Sequence, residues 1–227
     1  AAAVLLLVAA LSMSSPPVRA DAPVAAPGTP FAEARRSRVF WMLCAVQFLF
    51  FPAVVTVPLH LPVHGIDLGM SPAAAATLLS VIGAASILGR LVLGRLFDQI
   101  GGRMAYVICF SGMIAALSGL AIFSSHWALF AVVVVYGFSH GALFVVVSPT
   151  VAEYFGMRAH GAIFGVVLFC GTTGAAVGPI LAGMLFDYTG SYFFAFLTLL
   201  LMTACALALV LSLPRPQVET RSGGRTA

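Results

Sequence analysis

The chain has 227 residues, of which 61% are hydrophobic and only 8% are charged. Soluble domains carry about 25% charged residues, so this composition excludes an ordinary soluble protein and indicates an integral membrane protein. The net charge of +4 could suggest nucleic-acid binding, but the 11 basic residues are all arginine and lie in the gaps between apolar runs. They form no basic face, and we therefore expect no nucleic-acid partner.

The cysteines and the motif content argue against metal binding and catalysis. Each of the four cysteines falls in a different apolar run, and none has the Cys-x-x-Cys or Cys/His spacing of a metal site. The sequence also has no Walker loop, no dinucleotide-binding glycine pattern and no nucleophile motif. We therefore expect a protein that is not an enzyme, with no catalytic residue, no metal and no cofactor.

The first residues of the chain, 1–12, are apolar and are followed by a Pro-containing stretch. Val18-Arg19-Ala20 could mark a signal-peptide cleavage site, but no basic region precedes the apolar run. The alternative, which we favour, is the end of a truncated transmembrane helix. Residues 13–38 are rich in Pro, Ala and Ser and predict a flexible cytoplasmic linker.

Six apolar segments follow, each long enough for the ~20 residues that a helix needs to cross a bilayer. They are residues 39–61, 72–96, 103–124, 127–150, 158–186 and 191–213. They are too long and too uniformly apolar for the strands of a membrane barrel, and backbone groups in lipid must be satisfied within the segment. We predict an all-α polytopic membrane protein, with a six-transmembrane-helix bundle over residues 39–213 and a cytoplasmic tail over 214–227.

The arginines fix the predicted orientation. If the linker is cytoplasmic, every later arginine also falls on the cytoplasmic side. These residues are Arg90, Arg95, Arg103, Arg158, Arg215, Arg221 and Arg225. The three loops on the other face, HGIDLGMSP, SSHW and DYTGSY, contain no Arg or Lys, as the positive-inside rule requires. We expect a multi-pass protein of the cell inner (plasma) membrane, with both ends of the six-helix unit cytoplasmic.

Arg90 is the only charge well inside a predicted helix, about six residues or ~9 Å from the segment's midpoint. An arginine near the bilayer centre costs at least ~2.5 kcal/mol, so we expect it to face a cavity or a partner. Because the chain offers no acid at similar depth, a carboxylate substrate is an attractive counter-ion. The alternatives are that Arg90 extends to the cytoplasmic headgroups or pairs with Asp98.

Four other polar residues could shape a pocket with Arg90, namely Gln47, His140, Thr172 and Thr173. His140 could bind a carboxylate or relay a proton, because histidine titrates near neutrality. Its alternative is a neutral side chain bonded to a neighbouring helix. Gln47 could donate to a substrate or bond across helices, and the threonine hydroxyls lie near the bilayer centre.

The fifth predicted helix is the most irregular. Gly161 and Gly165 form a small-xxx-small pair that predicts close helix packing. Gly174, Gly178 and Pro179 predict a hinge at mid-depth, where a break could free backbone groups for a substrate. The alternative is a kink that neighbouring helices stabilise.

A short polar turn, GRLFDQIGGR, joins the second and third predicted helices. Its Gly94, Asp98, Gly101 and Arg103 predict a conformational loop. Asp98 would lie near the N-terminus of the next helix, or pair with an arginine of the loop, and so lock two helices in one state. The alternative is an ordinary charged turn.

This turn resembles the signature of the major facilitator superfamily, in which Gly, Leu, Asp, Gly and Arg recur at these spacings. GPILAGMLFDYTGSYFFAF, residues 178–196, resembles helices eleven and twelve of the monocarboxylate-transporter-like and oxalate/formate-antiporter-like branches. Pro149 with Ala152-Glu153-Tyr154-Phe155-Gly156 resembles the loop before helix eleven. The resemblance covers residues 39–213 and implies the C-terminal six-helix half of a twelve-helix fold, with residues 1–12 ending helix six.

In the monocarboxylate branch an arginine of helix eight, four residues before a glycine, engages the substrate carboxylate, and Arg90 with Gly94 matches this pattern. Ser86 stands where animal members carry a proton-coupling aspartate, and residues 161–186 lack the lysine of oxalate/formate exchangers. The resemblance implies secondary active transport of a small organic anion by alternating access. The implied partners are the missing N-terminal half, the lipid bilayer and a candidate coupling proton.

Two other interpretations remain open. One is a six-helix membrane module, such as a sensor or an assembly partner, that transports nothing. The other is the same fold carrying a neutral or cationic drug-like solute.

Overall fold

The computed structural model describes residues 28–215, and the predictions for residues 1–12, for residues 13–27 of the linker and for residues 216–227 of the tail lie outside this range. Within it the chain forms six helices. They are α1 (Phe31–Ala34), α2 (Arg38–Asp67), α3 (Pro72–Ile122), α4 (His126–Phe155), α5 (His160–Thr189) and α6 (Phe193–Leu211). The predicted all-α class is confirmed, and α2 to α6 are each long and apolar enough to cross a membrane.

The longest helix, α3, is two crossings joined at one glycine. An unbroken helix of 51 residues would measure ~76 Å, more than twice the ~30 Å hydrocarbon core of a bilayer. At Gly101 the backbone leaves the helical region, with φ 71° and ψ 167°, a conformation that glycine adopts without a steric penalty. We call residues 72–100 the first arm of α3 and residues 102–122 the second arm.

Both arms pack on the same turn of α4. Gly89 of the first arm lies against the backbone of Phe138, and Gly112 of the second arm lies against the hydroxyl of Ser139. Two residues so far apart in one helix could not reach neighbouring positions of α4 unless the chain turned back at Gly101. The arms therefore form an antiparallel hairpin, and the predicted six-helix bundle is confirmed.

Side-chain caps and glycines explain where the crossings begin and end. The hydroxyls of Ser37, Ser71 and Ser125 each accept a hydrogen bond from the backbone N–H three residues later, at the start of α2, α3 and α4. Gly156 and Gly190 follow the last residues of α4 and α5 with φ of 70° and 67°, values that favour glycine.

The first crossing is longer than its apolar pattern predicts. The sequence indicates a helix over residues 39–61, whereas α2 continues to Asp67 and contains Pro52, Pro58 and Pro62. Proline removes one backbone donor from a helix but does not always end it, because neighbouring helices can support the bend.

Part of the predicted linker is folded against α4. Gly28 forms an isolated β-bridge with Gly156, and the Thr29 N–H donates to the Phe155 carbonyl at 2.8 Å. The short helix α1 follows, and the indole N–H of Trp41 then donates to the carbonyl of Arg35, at 2.9 Å. Residues 28–37 therefore join the helical bundle.

The helices α2 and α4 run antiparallel and so define two ends of the bundle. The rings of Phe40 and Phe155 lie 6.5 Å apart at one end, and His126 Nε2 lies 3.1 Å from the Leu68 carbonyl oxygen at the other. The first is called the arginine-rich end, after Arg103, Arg158 and Arg215. The second is called the histidine end, after His60, His64 and His126.

Tyr192 ties α2 to the start of α6 at the histidine end. Its hydroxyl lies 3.2 Å from His60 Nδ1, and its ring stacks on that of Phe186 with centroids 4.4 Å apart. Burial, together with the negative charges of Asp67 and Asp187, raises the pKa of Tyr192. The phenol therefore keeps its proton and can donate a hydrogen bond to His60 Nδ1.

The crossings form two closely packed pairs. α3 packs most extensively on α4, and α2 packs most extensively on α5. α6 contacts α3 and α2, whereas α4 touches α2 and α5 much less. We call the boundary between the α3/α4 pair and the α2/α5 pair the seam.

Candidate functional site

A cavity of about 330 Å³ opens at the seam, between α2, α4 and α5. Its lining is aromatic and aliphatic apart from one threonine. The lining residues are Phe50, Phe51, Leu143, Phe144, Val147, Phe164, Leu168 and Thr172. We call this space the phenylalanine cavity.

The cavity lies at the same depth as Arg90. Arg90 is 11 residues before Gly101, and Phe144 is 11 residues before the end of α4, so both lie about 16 Å from the arginine-rich end. Phe51 and Thr172 lie about 18–20 Å from the starts of their helices. A 30-residue helix is about 45 Å long, so all four residues fall in its middle third.

Arg90 is exposed, and its guanidinium lies over an aromatic ring. The guanidinium carbon is 5.5 Å from the centroid of Phe144, within the range of a cation–π contact. Such a contact leaves the N–H donors at the edge of the guanidinium plane available to an anion. Because Phe144 lines the phenylalanine cavity, this contact places the positive charge of Arg90 at the cavity rim. The contact is with an aromatic face rather than with Asp98, which is the alternative partner that the sequence suggested.

His140 belongs to the same cluster. Its Nδ1 lies 3.4 Å from the Ser86 hydroxyl, and its ring centroid lies 5.3 Å from that of Phe144 and 5.6 Å from that of Tyr136. Phe144 therefore touches both His140 and Arg90. The contact with Ser86 is the cross-helix bond expected if His140 is structural, and it is also compatible with a role beside a bound anion.

The two threonines of α5 use their hydroxyl protons inside the helix. Thr172 and Thr173 both donate to the carbonyl of Phe169, at 2.9 Å each. Both residues are exposed, but only Thr172 lines the phenylalanine cavity. With their protons engaged, these hydroxyls can act towards a solute only as acceptors.

Gln47 lies apart from the cavity. Its side chain is fully buried, and neither Oε1 nor Nε2 has a hydrogen-bond partner among the residues that the structure describes. Phe50 and Phe51, one turn further on, reach the cavity instead. The structure therefore brings Arg90, His140 and Thr172 to one region but leaves Gln47 in the core.

The glycines of α5 that pack are not the predicted pair. A Cβ on Gly161 or Gly165 would meet nothing within 4 Å of the described chain, and a packing role for this pair stays a prediction. The backbone of Gly174 lies against the Phe48 carbonyl, and Gly178 lies against Pro52. The α2 contact therefore uses the glycines that follow in α5.

Helix α5 is continuous through its predicted hinge. Helix α5 runs from His160 to Thr189 with Pro179 inside it. Gly174 and Gly178 serve as packing positions against α2, and a hinge role for them and Pro179 stays a prediction.

At the arginine-rich end, Glu153 takes the position predicted for Asp98. The N–H of Gly102, the first residue of the second arm, donates to Glu153 Oε2 at 2.8 Å. Asp98 is exposed, and Arg103 donates to the carbonyl of Leu211. The carboxylate at the N-terminus of this arm is therefore Glu153, for which the sequence predicted no such contact.

The aromatic lining of the phenylalanine cavity is the part of the candidate site that the sequence analysis did not predict. Phenylalanines in an apolar segment look the same whether they face lipid, a neighbouring helix or a cavity. Helical spacing was the one signal that could have pointed to these rings. Phe144 follows His140, and Phe51 follows Gln47, by one helical turn, so each ring shares a helix face with a predicted site residue.

The chain matches a known family over its whole length. The model of the Major Facilitator Superfamily matches residues 1–125 and 67–227. Monocarboxylate transporter 13 of Rattus norvegicus is 32% identical over 162 residues, which make up 66% of this chain and 38% of that protein. Monocarboxylate transporter 7 of Homo sapiens is 30% identical over 178 residues, covering 77% of this chain and 33% of that protein. The chain thus aligns with little more than a third of these relatives' length.

Solved structures share the fold at lower sequence identity. FucP, described as a major facilitator superfamily transporter in the outward conformation, superposes with a TM-score of 0.69 at 17% identity. The match covers 92% of this chain and 52% of FucP. This likeness concerns the fold alone, and half of a transporter corresponds to these helices. The chain belongs to the major facilitator superfamily, and the branch that it resembles is that of the monocarboxylate transporters.

Proposed function

We propose that the full-length protein is a secondary active transporter that carries a small organic anion by alternating access, with Arg90 as the carboxylate ligand. The observation that carries this proposal is an exposed guanidinium in the middle third of the bundle, held over Phe144 at the rim of a cavity. A charge at this depth is costly unless an ion or water offsets it, and a carboxylate matches the guanidinium in two parallel hydrogen bonds.

His140 is the candidate for the coupling proton. It lies beside Phe144 and Ser86, so a proton on its ring would stand close to an anion held by Arg90. A protonated imidazole would attract a carboxylate, and loss of the proton would weaken that attraction. Thr172 completes the rim as an acceptor. Roles for Gln47 and Thr173 stay predictions.

In this proposal the chain supplies the C-terminal half of the transport path, and an N-terminal half closes it. The support is the likeness to one half of FucP and the coverage of the monocarboxylate transporters. The arginine-rich end would face the cytoplasm of a cell inner (plasma) membrane. The chain alone is then expected not to transport, because its cavity lacks the second wall.

The loop after the first arm would lock one conformational state. Support comes from the Glu153 carboxylate, which receives the Gly102 N–H where two helices meet. Gly94, Gly101 and Arg103 would set the geometry of this contact. Asp98 faces outward and would be free to engage another part of the protein in a second state.

The test is uptake by the full-length protein in proteoliposomes, with Arg90→Ala as the variant. We expect counterflow of radiolabelled monocarboxylates in the wild type and at least a tenfold loss in the variant, since an uncompensated carboxylate would remain in the path. Arg95→Ala is the matched control, because it removes an exposed charge from the same arm outside the cavity. Equal uptake by wild type and Arg90→Ala would contradict the proposal and favour a six-helix module without transport or a carrier of uncharged solutes.

A further inference from the structure

We infer that the transported anion is an amphiphilic monocarboxylate with a bulky, preferably aromatic body, held in the phenylalanine cavity while Arg90 holds its carboxylate. This inference rests on the proposed function and narrows its substrate class.

The chemistry of the cavity wall selects for an apolar body. Seven of the eight lining residues are apolar, and the hydroxyl proton of the eighth, Thr172, is engaged by the Phe169 carbonyl. A dicarboxylate would lose hydration of its second carboxylate here without gaining a donor in return, and the hydroxyl of a hydroxy acid would find only Thr172 as an acceptor. A hydrocarbon or aryl group would lose only contact with water, which is favourable by roughly 25 cal/mol for each Å² that is buried.

The size of the cavity points the same way. At about 330 Å³ it falls at the lower end of the ~300–1,000 Å³ that is usual for pockets that hold drug-sized ligands. A two- or three-carbon acid would leave most of this space to water between phenylalanine rings. A ring joined to a carboxylate by a short linker would fill much more of it.

The aromatic side chains are arranged to receive another ring. Phe51 and Phe144 meet edge to face with centroids 6.3 Å apart, and Phe50 lies 5.0 Å from Phe51 at an angle of 54°. Walls of this kind present both ring faces and ring edges, and aromatic partners prefer centroid distances of about 4.5–7 Å in such geometries.

Phe144 links the two subsites. Its ring lies 5.5 Å from the Arg90 guanidinium carbon and also forms part of the cavity wall. A carboxylate on Arg90 would therefore stand next to the cavity, so that a short linker would join the anion to the apolar body. This spacing fits an arylacetate or an arylpropanoate.

A different occupant has to be considered, because an apolar wall could also receive side chains of an N-terminal half. The charge at the rim argues for a solute. A guanidinium at mid-depth calls for an anion beside the apolar body, and a monocarboxylate brings both in one molecule.

The experiment is competition for uptake by the full-length protein in proteoliposomes, with radiolabelled phenylacetate as the reporter. The competitors carry one charge and increasing apolar area, from acetate through hexanoate to 3-phenylpropanoate. Succinate adds a second charge, and phenylacetamide removes the charge. We expect the half-inhibitory concentration to fall at least tenfold from acetate to 3-phenylpropanoate, with little inhibition by succinate or phenylacetamide.

Phe144→Ala is the diagnostic variant, and Phe194→Ala is its control. Both side chains are 48% exposed, but Phe194 lies in α6 away from the cavity. We expect Phe144→Ala to reduce phenylacetate uptake at least fivefold more than acetate uptake, since acetate has no apolar body to place in the cavity, and Phe194→Ala to behave as wild type. If Phe144→Ala fails to fold, the wild-type protein in detergent provides the readout, with a larger rise in Tm from phenylacetate than from equimolar acetate.

The possible failures are distinguishable. If no carboxylate is taken up and Arg90→Ala changes nothing, the proposed function itself is wrong. If acetate or succinate competes better than 3-phenylpropanoate, transport stands but the inferred substrate class is wrong. If Phe144→Ala lowers the uptake of all acids equally, the ring supports Arg90 or contacts the other half of the protein rather than the apolar body of the solute, and the inference is also overturned.

Discussion

The interfaces within the helix pairs differ sharply from the boundary between them. Inside the α3/α4 pair, Gly89 and Gly141 bring the helix backbones together, and inside the α2/α5 pair Gly174 and Gly178 do the same. At the seam the side chains are large, and they leave a cavity. Close glycine packing without side-chain freedom makes each pair a stiff unit. The seam is where the bundle has room to hold a solute and to change shape.

The largest effect on stability is expected from a substitution that forces α3 and α4 apart. In Gly141→Ala the new methyl group would collide with the backbone of Ser86, so the two helices must separate. We expect a loss of about 3 kcal/mol in the free energy of unfolding, the upper range for overpacking in a core. Thermal unfolding of the full-length protein in detergent measures it.

The control for this variant is Gly83→Ala, in the same arm of α3. A methyl group there would meet nothing within 4 Å of the described chain. It should be neutral or slightly stabilising, since alanine is the better helix former. Equal losses in the two variants would show that the close contact does not determine stability.

The α2/α5 contact should respond similarly but less strongly. Gly174→Ala would push a methyl group against the Phe48 carbonyl, and we expect a loss of about 2 kcal/mol. α5 packs less extensively than α3 or α4 and can therefore shift more easily. Gly183→Ala, in the same helix but in open space, is the matched control. A loss in Gly174→Ala larger than that in Gly141→Ala would reverse the expected order of stiffness.

The smallest effect concerns the polar contact at the arginine-rich end. Glu153→Gln keeps an acceptor for the Gly102 N–H but removes the charge, which should cost about 1 kcal/mol. Hydrogen exchange of the peptide that contains residues 100–106 should become faster, while α6 stays unchanged. Glu33→Gln removes an equal charge from α1 and should leave this peptide as it is. Unchanged exchange in Glu153→Gln would mean that the carboxylate does not hold the arm.

The sequence allowed the six crossings, the turn at Gly101 and the intramembrane Arg90 to be predicted. These features depend on local properties, namely the length of apolar runs, the freedom of a glycine and the cost of a charge in lipid. Glu153 and the cavity phenylalanines were not recognised, because their roles depend on which helix faces lie together. In segments that are apolar on all sides, periodicity does not identify the face that meets a neighbour.

The same reason explains the glycines of α5. Gly161, Gly165, Gly174 and Gly178 have similar sequence contexts. Within residues 28–215, only the position of α2 separates Gly174 and Gly178, which pack against it, from the other two. Arg90 could be predicted as a candidate ligand from its depth alone. The ring that supports it, Phe144, lies 54 residues away and is known only from the fold.

The bond between Thr29 and the end of α4 determines how mechanical tension would enter the bundle. The chain arriving from upstream is fastened to Phe155 and Gly156 before it reaches α2. A pull from that direction would thus load α4 first, the helix that carries His140 and Phe144. The chain that leads into the bundle and the helix that carries part of the proposed site are therefore fastened at one point.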